Sequence, residues 1–128
     1  MNKDELIAYL DSKPESVRDY PFGPEALVMK VEGKMFALLT RHQDRDALNL
    51  KCDPLQAQQL RDIWQDVIPG YHMNKRHWNT VFIEGDVPDP EIERIIDHSY
   101  ALVVRSLRKA DRLRLETSHG TDALYCGE

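Results

Sequence analysis

Hydrophobic and polar residues alternate with a period of two over two neighbouring stretches of the chain. Leu27, Met29 and Val31 share one register, and after Gly33 the same period continues through residues 36–40. A period of two places successive side chains on opposite faces of a strand. The pattern therefore predicts a β-hairpin that turns at Gly33.

Three further strand signals surround this hairpin. A polar tip at residues 42–46 leads into a third strand over residues 47–52, and residues 78–83 have the β-branched and aromatic content of a fourth. Residues 71–75 are a candidate partner for that fourth strand in a second hairpin. An antiparallel sheet of four to five strands follows.

Three stretches repeat their apolar residues at the spacing of a helix. The first begins after Asn2 and ends before Pro14. The second starts at the capping pair Asp53-Pro54 and is expected to end at residues 69–70, and the third starts at residues 89–90. Their apolar faces contain Leu6, Ile7 and Leu10 in the first, Leu60, Ile63, Trp64 and Val67 in the second, and Ile92, Ile95, Ile96, Tyr100, Val103 and Leu107 in the third.

These elements predict one α+β domain with two layers, an antiparallel sheet packed against helices, in the order αβββαββα. The domain is expected to span residues 1–115. Residues 116–128 are small and polar, and are expected to form a frayed, disordered tail.

Composition narrows the function classes. The 128 residues carry a formal net charge of −5, so the overall field repels phosphate and excludes general polyanion binding. Cys52 and Cys126 have no partners at zinc-site spacing, which is typical of reduced cytosolic thiols. With neither a signal-peptide pattern nor eighteen consecutive apolar residues, the chain is expected to be cytoplasmic and to have no membrane contact.

One segment departs from this acidic background. Residues 69–81 contain two fixed positive charges, two imidazoles, two amides and two aromatic rings without a carboxylate. Such a local patch favours an anionic ligand, with cations on phosphate oxygens, polar side chains as hydrogen-bond donors and an aromatic ring for stacking. The predicted site contains Lys75 and Arg76 as phosphate contacts, His72, Asn74 and His77 as donors, Trp78 (or Tyr71) for stacking, and Arg41, Arg45 and Lys51 as nearby charge.

Three other interpretations compete with an anion-binding site. A metal could be bound by His72 and His77 with His98 or His42, but five-residue spacing on an irregular segment fixes no geometry. Asp97, His98 and Ser99 are consecutive, so on a helix they face different ways and cannot form a catalytic triad. No metal, cofactor or catalytic residue is therefore predicted.

A third alternative remains open from the residues alone. His98 and Tyr100 could reach from the long helix towards Trp78 and His72 and line a small pocket for a metabolite or a peptide of a protein partner. A nucleic-acid site would be a convex basic ridge, whereas a ligand site would be a concavity.

The chain resembles the YjbR/MmcQ family of small bacterial proteins over about residues 1–112. The resemblance is carried by residues 51–54, 69–81, 87–89 and 96–100, and more weakly by residues 21–23 and 30–37. It implies a CyaY-like fold and a DNA-binding role through two projecting wings, a double-wing arrangement. The wings would be residues 42–46 and 72–77, although Asp44 and Asp46 depart from a basic first wing.

The sequence thus predicts a monomer that contacts nucleic acid, DNA above all, weakly and through the phosphate backbone. The alternative is a non-enzymatic module that binds a small ligand or a protein on the same surface.

Overall fold

The fold is an open, antiparallel, six-stranded sheet packed against helices, seen in a computed structural model that describes residues 1–71 and 73–128. The strands lie in the order β1-β2-β3-β4-β6-β5. The elements are α1 (Lys3–Asp11), β1 (Val17–Asp19), β2 (Leu27–Val31), β3 (Lys34–His42), β4 (Arg45–Lys51), α2 (Pro54–Ile63), β5 (Val67–Pro69), β6 (Trp78–Phe82), α3 (Asp89–Arg105), α4 (Lys109–His119) and α5 (Thr121–Tyr125). The predicted α+β class is confirmed, and the two short edge strands β1 and β5 raise the strand count above the predicted four to five.

The two predicted central turns are both two-residue hairpins. Glu32 and Gly33 connect β2 to β3 with φ of 48° and 76°, the left-handed pair that matches the twist of adjoining strands. Gln43 and Asp44 do the same between β3 and β4, with φ of 54° and 58° and no glycine. Because the turn takes only two residues, the flanking strands extend further into the polar tip than the alternation indicated.

The second helix is shorter than predicted. It ends at Ile63, which is 65% exposed, and Trp64 is already extended with φ −113° and ψ 128°. The carboxylate of Asp86 accepts the backbone N–H groups of Gln65 and Asp66 at 2.8 and 3.0 Å, which replaces further helical bonds. Val67 is therefore buried in a strand rather than on a helix face, and the expected helix end at residues 69–70 was wrong.

The partner of β6 also differs from the expectation. Residues 67–69 pair with it, with Val67 opposite Val81 and Pro69 opposite Asn79. Residues 71–75 were expected in this place, but the described part of that range forms turns instead. The apolar pair at residues 67–68 belongs to the sheet edge because β6 offers it unpaired backbone groups there.

The C-terminal residues form helices where a frayed tail was expected. Residues 116–119 continue α4, and α5 places Leu124 fully inside the core with Tyr125 only 8% exposed. Gly127 lies so close to the backbone of Asp97 and His98 that a Cβ there would overlap with it. A few buried apolar side chains thus order a stretch whose composition is otherwise polar.

Helix α3 spans the core face of β3 and β4 and fixes their position. The ring of Tyr100 meets Phe36 edge to face at 5.2 Å, and its hydroxyl donates to the Pro14 carbonyl at 2.6 Å. Ser99 Oγ donates to the Phe36 carbonyl and accepts the backbone N–H of Lys51 at 2.9 Å. The end of β4 is therefore anchored to the helix. Among the described residues, no helix has both the length and the apolar character needed to cross a membrane.

Candidate nucleic-acid interface

The segment after β5 folds back over the outer face of the sheet, defined as the face opposite the core that carries Leu38, Thr40 and Thr80. Gly70 starts this reversal by donating its N–H to the Trp78 carbonyl at 2.9 Å. A Cβ on Gly70 would lie 2.9 Å from that of Trp78. Position 70 therefore requires glycine.

A buried polar row holds the next residue in place. The Tyr71 N–H donates to Thr80 Oγ1 at 3.0 Å, and that hydroxyl donates to Asn49 Oδ1 at 2.6 Å. Asn49 in turn donates to the Leu38 carbonyl at 3.1 Å. Because Asn49 and Thr80 are buried, this row fixes where the segment crosses the outer face.

Arg61 is a site residue that the sequence analysis missed. Its Nη2 donates to the Lys75 carbonyl at 2.6 Å and its Nε to Asn79 Oδ1 at 2.8 Å. Asn79, which is fully buried, donates its amide to the Ala57 carbonyl. A basic residue at the end of α2, one helical turn after the small Ala57, was the available signal. Arg61 thus joins α2 to the segment.

Asn74 shapes the turn that presents the cations. Its Oδ1 accepts the backbone N–H groups of Arg76 and His77 at 3.0 and 3.2 Å. Such a side-chain turn is the usual structural use of asparagine in loops. Because the oxygen already accepts these two bonds, the groups that Asn74 can offer a ligand are the N–H donors of its amide.

Most of the predicted site residues come together at one end of β4 and β6. Lys51 lies directly opposite Trp78 in the sheet, and the Cys52 N–H donates to the His77 carbonyl at 2.8 Å. The ammonium group of Lys75 also donates a hydrogen bond to the Gly70 carbonyl at 3.0 Å. His72 lies outside the described residues.

We call Lys51, Arg61, Lys75 and Arg76 the basic cluster. Across residues 1–71 and 73–128, none of these four side chains forms an ion pair with a carboxylate. Arg76 is exposed, and neither it nor Lys51 has a side-chain hydrogen bond within that part of the chain. The four cations therefore lie together with no carboxylate partner within 4 Å in the described part of the chain.

Arg41 and Arg45, predicted to belong to the same site, lie at the other end of β4. Six residues of strand, about 20 Å, separate Arg45 from Lys51. Arg41 pairs with Asp46 at 3.2 Å, and Arg45 pairs with Asp66 at 3.0 Å while packing on the Phe82 ring. Asp44 and Glu84 line the same recess. Carboxylates thus neutralise this end, and the structure does not join it to the basic cluster.

The histidines considered as metal ligands are spread over different environments. His42 stacks on Tyr71 with ring centroids 3.9 Å apart. His98 is buried, with Nε2 accepting the Asp53 N–H and Nδ1 facing the Gly127 carbonyl at 3.2 Å. Within the described residues, no group of three or more His, Cys, Asp or Glu side chains is placed to hold a metal ion.

Asp97, His98 and Ser99 point to different neighbours, as expected for consecutive residues on a helix. Asp97 pairs with Lys13 at 2.7 Å and accepts the Tyr9 hydroxyl at the same distance. His98 and Ser99 bond to the backbone groups named above. The three side chains form no relay with one another.

The pocket that the sequence left open beside His98 and Tyr100 is not the concavity found near the segment. Tyr100 is fully buried and His98 is nearly so, so neither side chain is open to a ligand from solvent. A pocket of about 360 Å³ instead lies on the outer face, lined by Phe22, Ala26, Leu38, Thr40 and Met73. Its walls come from three separate parts of the chain, so a local sequence pattern could not predict the pocket as a whole. Phe22 between two prolines was a visible signal for one of its walls.

The sheet order, the helix α3 and the folded-back segment define a small α+β domain with an open antiparallel sheet. The YjbR family model matches residues 11–102, so the chain belongs to the YjbR family. The Escherichia coli K12 protein YjbR is 36% identical over 112 residues, covering 88% of this chain and 95% of its own. YbdF of Escherichia coli O157:H7 is 38% identical over 75% of this chain and 79% of its own. Both are described as uncharacterized.

Solved structures agree with this assignment. The crystal structure of Deinococcus radiodurans protein DR2400 superimposes with a TM-score of 0.80 at 39% identity, covering 88% of this chain and 86% of that one. The crystal structure of a Pseudomonas syringae protein gives 0.72 at 31% identity, covering 80% of this chain and 98% of its own.

Proposed function

We propose that the protein binds nucleic acid, with DNA as the first candidate, by holding backbone phosphates at the basic cluster. The observation that carries this proposal is the concentration of cations around residues 73–78 that have no carboxylate partner among the residues the structure describes, in a chain whose net charge is −5. Lys75 and Arg76 supply phosphate contacts, and the His77 ring and the Asn74 amide supply further hydrogen-bond donors. Trp78, half-buried beside Lys51, supplies an aromatic edge.

The location of the charge favours one contact region rather than two wings. The acidic recess around Arg41 and Arg45 would repel a phosphate at the hairpin tip. The basic cluster, by contrast, is held by Arg61 and Asn74 before any ligand arrives. Prior organisation of this kind limits the entropy lost on binding.

The expected affinity is modest and depends strongly on salt. Three phosphate contacts, from Lys51, Lys75 and Arg76, give a slope of log K against log salt of about −2 to −3. Contacts of this kind position a backbone without reading its sequence.

The test is a titration of fluorescently labelled DNA, as duplex and as single strand, at several salt concentrations. The variant K75E/R76E reverses two charges at the site, and R108E/K109E is its control, because Arg108 and Lys109 are also adjacent and exposed and change the formal charge equally. We expect binding to be lost in the first variant and retained in the second.

Two outcomes would contradict the proposal. Equal losses in both variants would show that only bulk charge matters. Absence of binding by the wild-type protein at low salt would refute nucleic-acid binding and favour the small-ligand or protein-partner alternative. Unfolding midpoints measured alongside keep loss of fold separate from loss of binding.

A further inference from the structure

The pocket on the outer face lies beside the basic cluster and has a different chemistry. Four of its five lining residues, Phe22, Ala26, Leu38 and Met73, are apolar, and Thr40 supplies a hydroxyl. Met73 belongs to the same segment as Lys75, two residues away and therefore at most about 7 Å along the chain. An apolar recess and a phosphate site thus share one loop.

Phe22 is the unusual wall of this pocket. It is 71% exposed, although its turn is stiffened by Pro21 and Pro24. An exposed aromatic ring on a rigid turn loses little entropy when another ring stacks on it. The neighbouring ring of Tyr71 already stacks on His42, and the aromatic ring that lines the recess is that of Phe22.

We propose that this pocket receives one unstacked nucleobase of a single strand whose phosphates lie on the basic cluster. The inference rests on the function proposed above and narrows its ligand. A ligand that satisfies both features needs a flat ring with a face that stacks on apolar side chains, linked at short range to an anion, and a nucleotide unit has both. The volume of about 360 Å³ falls within the range of small-ligand pockets.

The proposal separates single strands from duplex. In a duplex the bases are paired and stacked within the helix, so none can enter the recess without being flipped out. A single strand can offer a base at little cost, and stacking on an aromatic side chain tolerates any base. Selectivity for single strands without strong sequence preference follows.

The experiment compares a labelled thymidine 15-mer, its duplex with the adenosine 15-mer, and a 15-mer carrying abasic sites at its centre. The proteins are wild type, F22A, and L113A as a control that removes another exposed apolar side chain, on α4 and outside the lining of the pocket. We expect wild type to prefer the single strand to the duplex and to the abasic strand. F22A should weaken single-strand binding about tenfold, as removal of one stacking side chain does.

The salt slope and the duplex affinity should be unchanged in F22A, because its phosphate contacts remain, and L113A should match wild type. One outcome would be that K75E/R76E abolishes binding, that F22A binds as wild type does, and that the abasic strand is bound as tightly as the intact strand. The pocket assignment would then be wrong, and the phosphate site would stand. If wild type binds no oligonucleotide, the proposed function itself fails. An acidic, tryptophan-containing peptide that binds wild type but not F22A, with no strand binding, would assign the pocket to a protein partner and overturn the inference.

Discussion

Replacement of Arg61 by Met tests whether this side chain organises the basic cluster. Methionine keeps much of the length and apolar stem but removes the guanidinium. Two hydrogen bonds are lost, to Asn79 Oδ1 at 2.8 Å and to the Lys75 carbonyl at 2.6 Å. The consequences differ because Asn79 is fully buried whereas Lys75 is exposed.

The larger part of the cost comes from Asn79. A buried acceptor left without a donor costs about 1–3 kcal/mol, whereas the exposed Lys75 carbonyl can be hydrated. We therefore expect R61M to lower the free energy of unfolding by about 2 kcal/mol. For a chain of this length, with an unfolding entropy of about 2.1 cal/mol/K per residue, that corresponds to a midpoint roughly 7 °C lower.

Urea denaturation followed by circular dichroism gives the free energy, and a thermal scan gives the midpoint. R108M is the matched control, since the Arg108 side chain is 85% exposed and its pair with Asp111 is a surface contact between residues three apart. Such pairs contribute no more than about 0.5 kcal/mol. If R61M lost no more stability than R108M, Arg61 would not anchor the segment, and our account of how the cluster is held would be wrong.

Three further predictions concern stability. Hydrogen bonds from Arg114 and then His119 lower the pKa of Glu15 from 4.5 to about 2, so its ionised form stabilises the fold above pH 4.5 and this contribution disappears as the pH falls towards 2. E15Q should therefore be less stable than wild type at pH 6, with most of the difference gone by pH 2, whereas E25Q, an exposed site without an ion pair among the described residues, should match wild type throughout; a pH-independent difference for E15Q would contradict this. T80V should cost about 1–3 kcal/mol in urea denaturation because it removes both hydrogen bonds of the Thr80 hydroxyl, from the Tyr71 N–H and to the buried Asn49 Oδ1, and T80S, which keeps the hydroxyl, should cost less. L124A should cost about 2–5 kcal/mol as a fully buried leucine, and a loss below 0.5 kcal/mol would mean that α5 is not packed as described.

The parts of the fold that the sequence predicted are those with local causes. The Gly33 turn and the Asp53 cap depend on neighbouring residues alone, and both occur as expected: Gly33 has a positive φ, and the Asp53 carboxylate accepts the Leu55 and Gln56 N–H groups. The end of α2 was not predictable because it depends on Asp86, which binds the backbone of Asp66 from twenty residues further along the chain. The C-terminal helices depend likewise on distant packing against α3.

The candidate site divides in the same way. Residues 73–78 could be proposed as a candidate site from the sequence because their charges are consecutive in the chain. Arg45 was assigned to that site because its pairing with Asp66, twenty-one residues away, leaves no local signal. Arg61 and the pocket at Phe22 were missed because each acquires its role only when separate elements of the fold meet.

The two edge strands bear on how the protein behaves when crowded. β1 and β5 have three residues each, and β5 ends in Pro69, which has no N–H to donate. An incoming strand from another molecule finds too short a template for pairing, even though the long central strands are good β-formers. The domain should therefore resist edge-to-edge polymerisation of its sheets at high concentration. The outer face, rather than the sheet edges, is then the surface on which other molecules can bind.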